Sequence, residues 1–207
     1  MENTAYDYMP QGRELIGGEW VGEIDYEIIG GKKIYMVPTP NISHGIIVSR
    51  LVTMFNVYIW EHNIDAFTLA DNADVYLADG SHFRPDVSVL IRKPKAINKE
   101  KFIDGAPDLV VEIISPSTAV RDKMDKFFAY EKYGVKEYWI VSPQEKSVEV
   151  YVLKENKLTR DGVYQFYTEE EFNDLTDRQK ELVNREIKIS LYDDFYITLE
   201  DIFENVK

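Results

Sequence analysis

At 207 residues with a formal net charge of −13, the chain is long enough to bury a sizeable core and too acidic to coat its whole surface in nucleic acid. A hydrophobic content of 44% marks a folded protein, and the absence of cysteine excludes disulfides, thiolate metal sites and a cysteine nucleophile. No run of about 18 apolar residues occurs, and the first residues have no basic and apolar regions of a signal peptide, so a cytoplasmic protein without a membrane partner is expected.

In chain order, the opening to about Trp20 has weak periodicity and is expected to be irregular or partly helical. Residues 25–37 carry two short β-rich runs around Gly30-Gly31, which predicts a hairpin. Asn41 or Ser43 can cap a helix running to about His62, with Ile46, Ile47, Leu51, Met54, Phe55, Tyr58 and Ile59 as its core stripe. Residues 67–69 and 75–77 read as strands, with a tight turn near Asp71-Asn72. Pro85 is tolerated at the entrance of the next strand, where Val87, Val89 and Ile91 share one face and Asp86, Ser88 and Leu90 the other. The basic segment 92–101 reads as a loop with a partial turn.

The densest apolar run is 107–118, Pro-Asp-Leu-Val-Val-Glu-Ile-Ile-Ser-Pro-Ser-Thr. It predicts a strand covered on both faces, with Ser117 or Thr118 capping the helix that follows. That helix should span about 119–133 and end at Gly134. On its wheel Val120, Met124, Phe127, Phe128 and Glu131 gather on one side, and Asp122, Lys126, Tyr130 and Tyr133 on another. Strands follow at 137–142, 147–153 and about 164–167. Residues 169–186 read as a polar helical hairpin, 187–191 as a strand returning to the sheet, and Thr198 as the cap of a last short helix. Neither an internal repeat nor a linker long enough for a second domain is visible, so one domain over 1–207 is expected, with a core at about 25–153 and an acidic C-terminal elaboration at about 154–207.

Glu112 sits where a carboxylate is expensive unless a metal, a lysine or several donors compensate it. If the strands pair, Asp86 and Glu112 can share one or two hard divalent cations, and Lys126 from the departing helix can position or deprotonate water or stabilise charge on a phosphate. Structural roles stay open beside this. Asp86 can be a turn acid, Glu112 a buried acid paired with a basic side chain, Lys126 a solvated helix residue, and His44 a surface or capping residue. Charge is uneven: 79–140 holds 11 basic and 10 acidic residues, against 13 and 27 elsewhere, so a polyanionic ligand remains possible.

The succession Arg84-Pro85-Asp86-Val87-Ser88-Val89, the 107–118 run, Arg121-Asp122 with Lys126 and Tyr130, Gly134-Val135 and Glu137-Tyr138-Trp139-Ile140-Val141 resemble the Uma2 family of restriction-endonuclease-like proteins. Tyr26-Glu27 with Gly31, and His44 at the start of the long helix, fit the same pattern, so the resemblance runs from about Asp25 to Leu153. It implies a branch of the PD-(D/E)XK nucleases: a mixed central β-sheet flanked by helices, an α/β fold of α+β-like character that uses divalent metal. Asp86 then matches the motif aspartate and Glu112 the second acid. Ile114 stands where a lysine is usual two residues after that acid, and Lys126 takes its place. Glu27 is implied as an additional acid and His44 as a polar contact. The implied activity is hydrolysis of DNA phosphodiesters with Mg²⁺ or Mn²⁺ held by Asp86, Glu112 and the Ile113 carbonyl, with a homodimer as one way to cut both strands. The alternatives are a non-catalytic interaction module on the same fold and a metal-dependent hydrolase of small phosphorylated molecules.

Overall fold

A computed structural model describes residues 15–16, 19–20, 26–35, 42–70, 73–91, 97–98, 102–116 and 118–206. Its elements are β1 (Leu15–Ile16), β2 (Glu19–Trp20), β3 (Tyr26–Ile29), β4 (Lys32–Tyr35), α1 (Ile42–Glu61), β5 (Ala66–Ala70), β6 (Val75–Tyr76), β7 (His82–Phe83), β8 (Val87–Ile91), β9 (Ile97–Asn98), β10 (Phe102–Asp104) and β11 (Leu109–Ile113). A π-helical turn (Arg121–Lys126) then leads into α2 (Phe127–Tyr133). After it come β12 (Glu137–Ser142), β13 (Ser147–Lys154), β14 (Lys157–Gln165), α3 (Glu169–Asn173), α4 (Asp177–Leu182), β15 (Glu186–Lys188), β16 (Tyr196–Thr198) and α5 (Leu199–Phe203).

The main sheet has six strands in the order β14-β13-β12-β11-β8-β5. It is mixed: β11 runs parallel to β12, with the 119–133 helix as the crossover, and antiparallel to β8. Every residue of β11 is buried, as its unbroken apolar run requires. Period-2 alternation sends Leu109, Val111 and Ile113 into a core shared with α1, and Val110 into a second core on the opposite face. That second face lies under the crossover helix and under a smaller sheet of order β4-β3-β7-β6-β10-β9, which contributes Val75, Phe83 and Ile103.

Length and hydropathy alone would let α1 cross a bilayer. Its stripe of Ile47, Leu51, Phe55 and Ile59 is instead buried against the main sheet, as a core helix requires. The predicted hairpin forms between β3 and β4, with Gly30 and Gly31 at φ 55° and 79°, values that favour glycine.

Several expectations are corrected. Residues 15–16 and 19–20 pair as antiparallel strands; the rest of the opening lies outside the described residues. The runs at 66–70 and 75–76 are strands of different sheets, and the turn expected near Asp71-Asn72 lies outside the described residues. Within the basic segment expected as a loop, 97–98 pairs with β10, and the rest likewise falls outside. The strand expected at 164–167 begins at Lys157, because the chain hairpins straight back from β13. Residues 187–191 do not rejoin the main sheet: β15 pairs with β16 in a small sheet of its own.

The C-terminal region nevertheless feeds the α1-side core through Ile187, Ile189, Phe195, Ile197, Ile202 and Phe203. Arg50 ties α1 to it by donating to the carbonyls of Ile202 and Glu204 at 3.1 and 2.8 Å. Fully buried Glu137 of β12 also holds it, accepting from Trp139 Nε1 at 2.6 Å and from the backbone N–H and hydroxyl of Ser190. Truncating Phe203 to alanine should therefore cost about 3–5 kcal/mol of unfolding free energy, read from urea titration. A loss below about 1 kcal/mol would show that this region is peripheral to the core.

Candidate active site

Asp86 immediately precedes β8, and Glu112 is the penultimate residue of β11. The pairing is antiparallel, with Val111 opposite Val87, so continuing the register by one residue sets Asp86 opposite Glu112. Two strand ends thus bring together carboxylates 26 positions apart in sequence. Asp86 is fixed on both oxygens: Oδ2 accepts the Ile113 N–H at 2.5 Å, and Oδ1 lies 3.0 Å from His44 Nε2. His44 stands in the first turn of α1, which packs on β8 and β11, and both side chains remain partly open to solvent.

Glu112 points the other way from Val111 and Ile113, beneath the crossover helix, and is 3% exposed. Its compensation is local. Lys126 Nζ donates to both carboxylate oxygens at 2.9 Å, and the Tyr130 hydroxyl donates to Oε1 at 2.8 Å. Lys126, itself 1% exposed, also lies 2.8 Å from Glu27 Oε1 and 3.6 Å from Asp122 Oδ1. Glu27 reaches in from β3 of the smaller sheet, where its Oε1 also accepts the Arg84 N–H at 3.1 Å. Its buried Oε2 forms no hydrogen bond and meets Arg121 Nε at 3.5 Å. Arg121 Nε is equally 3.5 Å from Asp122 Oδ1.

The crossover helix is oriented by this network. Of the two stripes on its wheel, the polar one is buried: Asp122, Lys126 and Tyr130 are at most 2% exposed, whereas Val120, Met124 and Phe128 are 72, 53 and 61% exposed. Hydrophobicity alone would turn the helix over. The buried carboxylates Glu27 and Glu112 demand a cation and donors above them, and that demand outweighs three exposed apolar side chains. The π-helical turn at 121–126, a local widening typical of functional sites, carries Asp122 and Lys126. Of the two residues expected to cap the helix, Ser117 lies outside the described residues, and Thr118 Oγ1 accepts from Ser115 N at 3.0 Å, closing the turn behind the strand.

Electrostatics follow from burial. Desolvation pushes the Glu112 carboxyl well above its usual range; Lys126 opposes that shift, and the carboxylates of Asp122, Asp86 and Glu27 reinforce it. Burial disfavours the Lys126 ammonium, but Glu112, Glu27 and Asp122 outweigh it and raise its pKa, so the group stays charged. Burial likewise raises the Tyr130 hydroxyl, which keeps it a donor.

The structure brings Asp86, Glu112, Lys126, Glu27 and His44 into one centre. Asp122, Arg121 and Tyr130 also belong to it, although their residue types alone gave no reason to place them there. The alignment of Asp122 and Tyr130 with Lys126 on the polar stripe was the available signal. Asp86, Glu112 and main-chain carbonyls offer oxygen donors only, a set suited to hard dications. Four acidic side chains (Glu27, Asp86, Glu112 and Asp122) gather around two basic ones (Lys126 and Arg121). Among the described residues no three His, Asp or Glu side chains gather at metal-ligand spacing, so an ion on Asp86 and Glu112 needs main-chain or water oxygens as well.

Fold and site together define a mixed α/β protein that carries a carboxylate–lysine centre where its central strand ends. The chain belongs to the Uma2 family, whose model, described as "Putative restriction endonuclease", matches residues 20–189. The match extends past Leu153 and takes in β14 to β15. A solved structure described as "a putative nuclease belonging to DUF820", from Anabaena variabilis ATCC 29413, is similar at 23% identity and a TM-score of 0.64, over 88% of this chain and 91% of that one; likeness at this identity establishes the fold. No curated protein matches the sequence.

In metal-free buffer native Glu112 binds its proton at higher pH than the unfolded chain does, so its contribution to stability falls as pH rises above 4.5. The stability difference between wild type and Glu112→Gln should decline above that pH by up to about 1.4 kcal/mol per unit. Urea unfolding in chelator across mildly acidic to neutral pH measures it. A difference that stays flat or grows would show that Glu112 is not held in its protonated form by burial.

Proposed function

We propose that this protein is a metal-dependent endonuclease that hydrolyses DNA phosphodiester bonds, with Asp86, Glu112 and Lys126 as its catalytic residues. The observation that carries the reading is the cross-strand meeting of Asp86 with Glu112 beside an ammonium that lies 2.9 Å from both Glu112 oxygens. Asp86, Glu112 and the Ile113 carbonyl would hold Mg²⁺ or Mn²⁺. Such an ion supplies Lewis-acid activation of a water molecule and charge neutralisation at the scissile phosphate.

The chain's own residues do the rest. Lys126, held against both Glu112 oxygens, is placed to orient the attacking water or to stabilise negative charge building on the phosphate. Tyr130 and Lys126 fix the Glu112 carboxylate, while Ile113 N–H and His44 fix Asp86, so neither acid has to reorganise during the reaction. His44 and Asp86, partly exposed, face the side from which a substrate can enter. The near-neutral 79–140 segment, set in a chain of net charge −13, is the stretch best suited to approach by a polyanion. The family description and the nuclease-like fold support a nucleic acid over a small phosphorylated molecule. Cleavage of both DNA strands would use a homodimer or two successive visits.

With Mn²⁺ and supercoiled plasmid, Asp86→Ala and Glu112→Gln should each lower the nicking rate by at least roughly 100-fold. Nicking that persists in Asp86→Ala would remove the assignment, and hydrolysis of nucleotides without plasmid nicking would redirect it to small substrates.

A further inference from the structure

The outer face of α1 is unlike that of an ordinary surface helix. Between Ile42 and Trp60 the one formally charged side chain is Arg50, and it turns to the carbonyls of Ile202 and Glu204. Opposite the buried stripe lie Ile42, Gly45, Ser49, Thr53, Val57 and Trp60, all exposed, with Ile42, Val57 and Trp60 at 83, 41 and 70%. A helix face turned to water ordinarily carries charged side chains, and here three large apolar groups stand in their place. The Thr53 hydroxyl donates to the Ser49 carbonyl at 2.7 Å, so it is satisfied within the helix. A Cβ added at Gly45 would meet nothing within 4 Å, so the space above it is open.

The stripe is its own complement. Its successive gaps are 3, 4, 4, 4 and 3 residues, a palindrome about residue 51. Reversing one helix against another about a two-fold axis lays Ile42 on the partner's Trp60, Gly45 on the partner's Val57 and Ser49 on the partner's Thr53, and the converse on the other side. Gly45 leaves room for the valine. The ends match in charge as well. The first turn of α1 holds no acid and the last turn no base, so neither pole of its dipole is compensated within the helix, and Glu61 at the C-terminal pole is exposed. Antiparallel pairing sets each Glu61 beside the other helix's N-terminal turn, where a negative charge is favourable. Contact along the stripe extends about 27 Å at a shallow crossing of about 20° and buries on the order of 1,000 Å², the least that a specific interface requires.

We infer that the outer face of α1 is the docking surface for a second copy of this chain, paired antiparallel about a two-fold axis at Leu51. The inference concerns packing alone and does not rest on the proposed chemistry. It sets the His44 residues of the two chains about 20 Å apart along the helix direction, so that one dimer carries two candidate centres.

Sedimentation velocity on the full chain at micromolar concentration should give twice the 24.1 kDa of one chain. Ser49→Arg and Thr53→Arg, at exposed helix positions, should keep the far-ultraviolet circular dichroism of wild type and weaken self-association at least roughly 100-fold, because each sets unpaired charge next to the axis. The register has its own readout, since the chain has no native cysteine. Under mild oxidation, Ile42→Cys mixed with Trp60→Cys should give a disulfide-linked dimer, whereas either variant alone, its two thiols about 27 Å apart along the helices, should not. A wild type that stays monomeric would overturn the inference, and one that also floats with phosphatidylcholine vesicles would give the face to a lipid surface instead. A dimer that both arginine variants leave intact, or that Met124→Cys alone crosslinks, would put the interface on another face, such as the exposed Val120, Met124 and Phe128, and overturn it as well. Each of these results leaves the proposed function standing, since a monomer can cut both strands in two visits.

Discussion

The buried ammonium of Lys126 is the contact on which the architecture turns. Glu27 from the smaller sheet, Glu112 from the main sheet and Asp122 from the crossover helix all converge on it. Without it, three carboxylates would lie in the protein interior with too few donors, a situation that typically costs several kcal/mol per unpaired group. Buried ion pairs rarely add stability over apolar packing. What this one specifies is arrangement: it dictates which face of the 119–133 helix turns inward and how closely β3 must approach β11.

That specification sits on a rigid support. β11 is covered on one face by α1 and on the other by the crossover helix and the smaller sheet, so its last residues have little freedom. The backbone itself links the two acids, because the Ile113 N–H, next to Glu112, is the donor that Asp86 accepts. Chemistry placed at the end of a fully buried strand inherits the strand's precision, and the exposed side of the centre is left to His44 and Asp86. The C-terminal strands and α5 stabilise the far side of α1 and so brace the same strand from behind.

Much of this was legible in the sequence. The apolar run around Glu112 predicted a doubly covered strand, Pro85-Asp86 predicted a neighbouring strand entrance, and Gly30-Gly31 predicted the hairpin that carries Glu27. The wheel showed two stripes on the helix but not which one turns inward, for a physical reason: it ranks faces by hydrophobicity, whereas the inward face here meets buried carboxylates from sheets distant in sequence. Asp122 and Tyr130 were visible as members of the Lys126 stripe, but the carboxylates of Glu27 and Glu112 around which that stripe gathers were not. The separate pairing of β15 with β16 was hidden too, since a short apolar run with period-2 alternation does not say which edge it will join.

The central claim is that Asp86 and Glu112 form a metal site served by a fixed Lys126. Anomalous diffraction from crystals soaked in Mn²⁺ tests it most directly. One Mn²⁺ peak within ligand distance of Asp86 and Glu112, with Lys126 Nζ still held by Glu27 and Asp122, is the predicted result. No peak there at saturating Mn²⁺, or a peak ligated by Glu27 with Lys126 displaced, would contradict it.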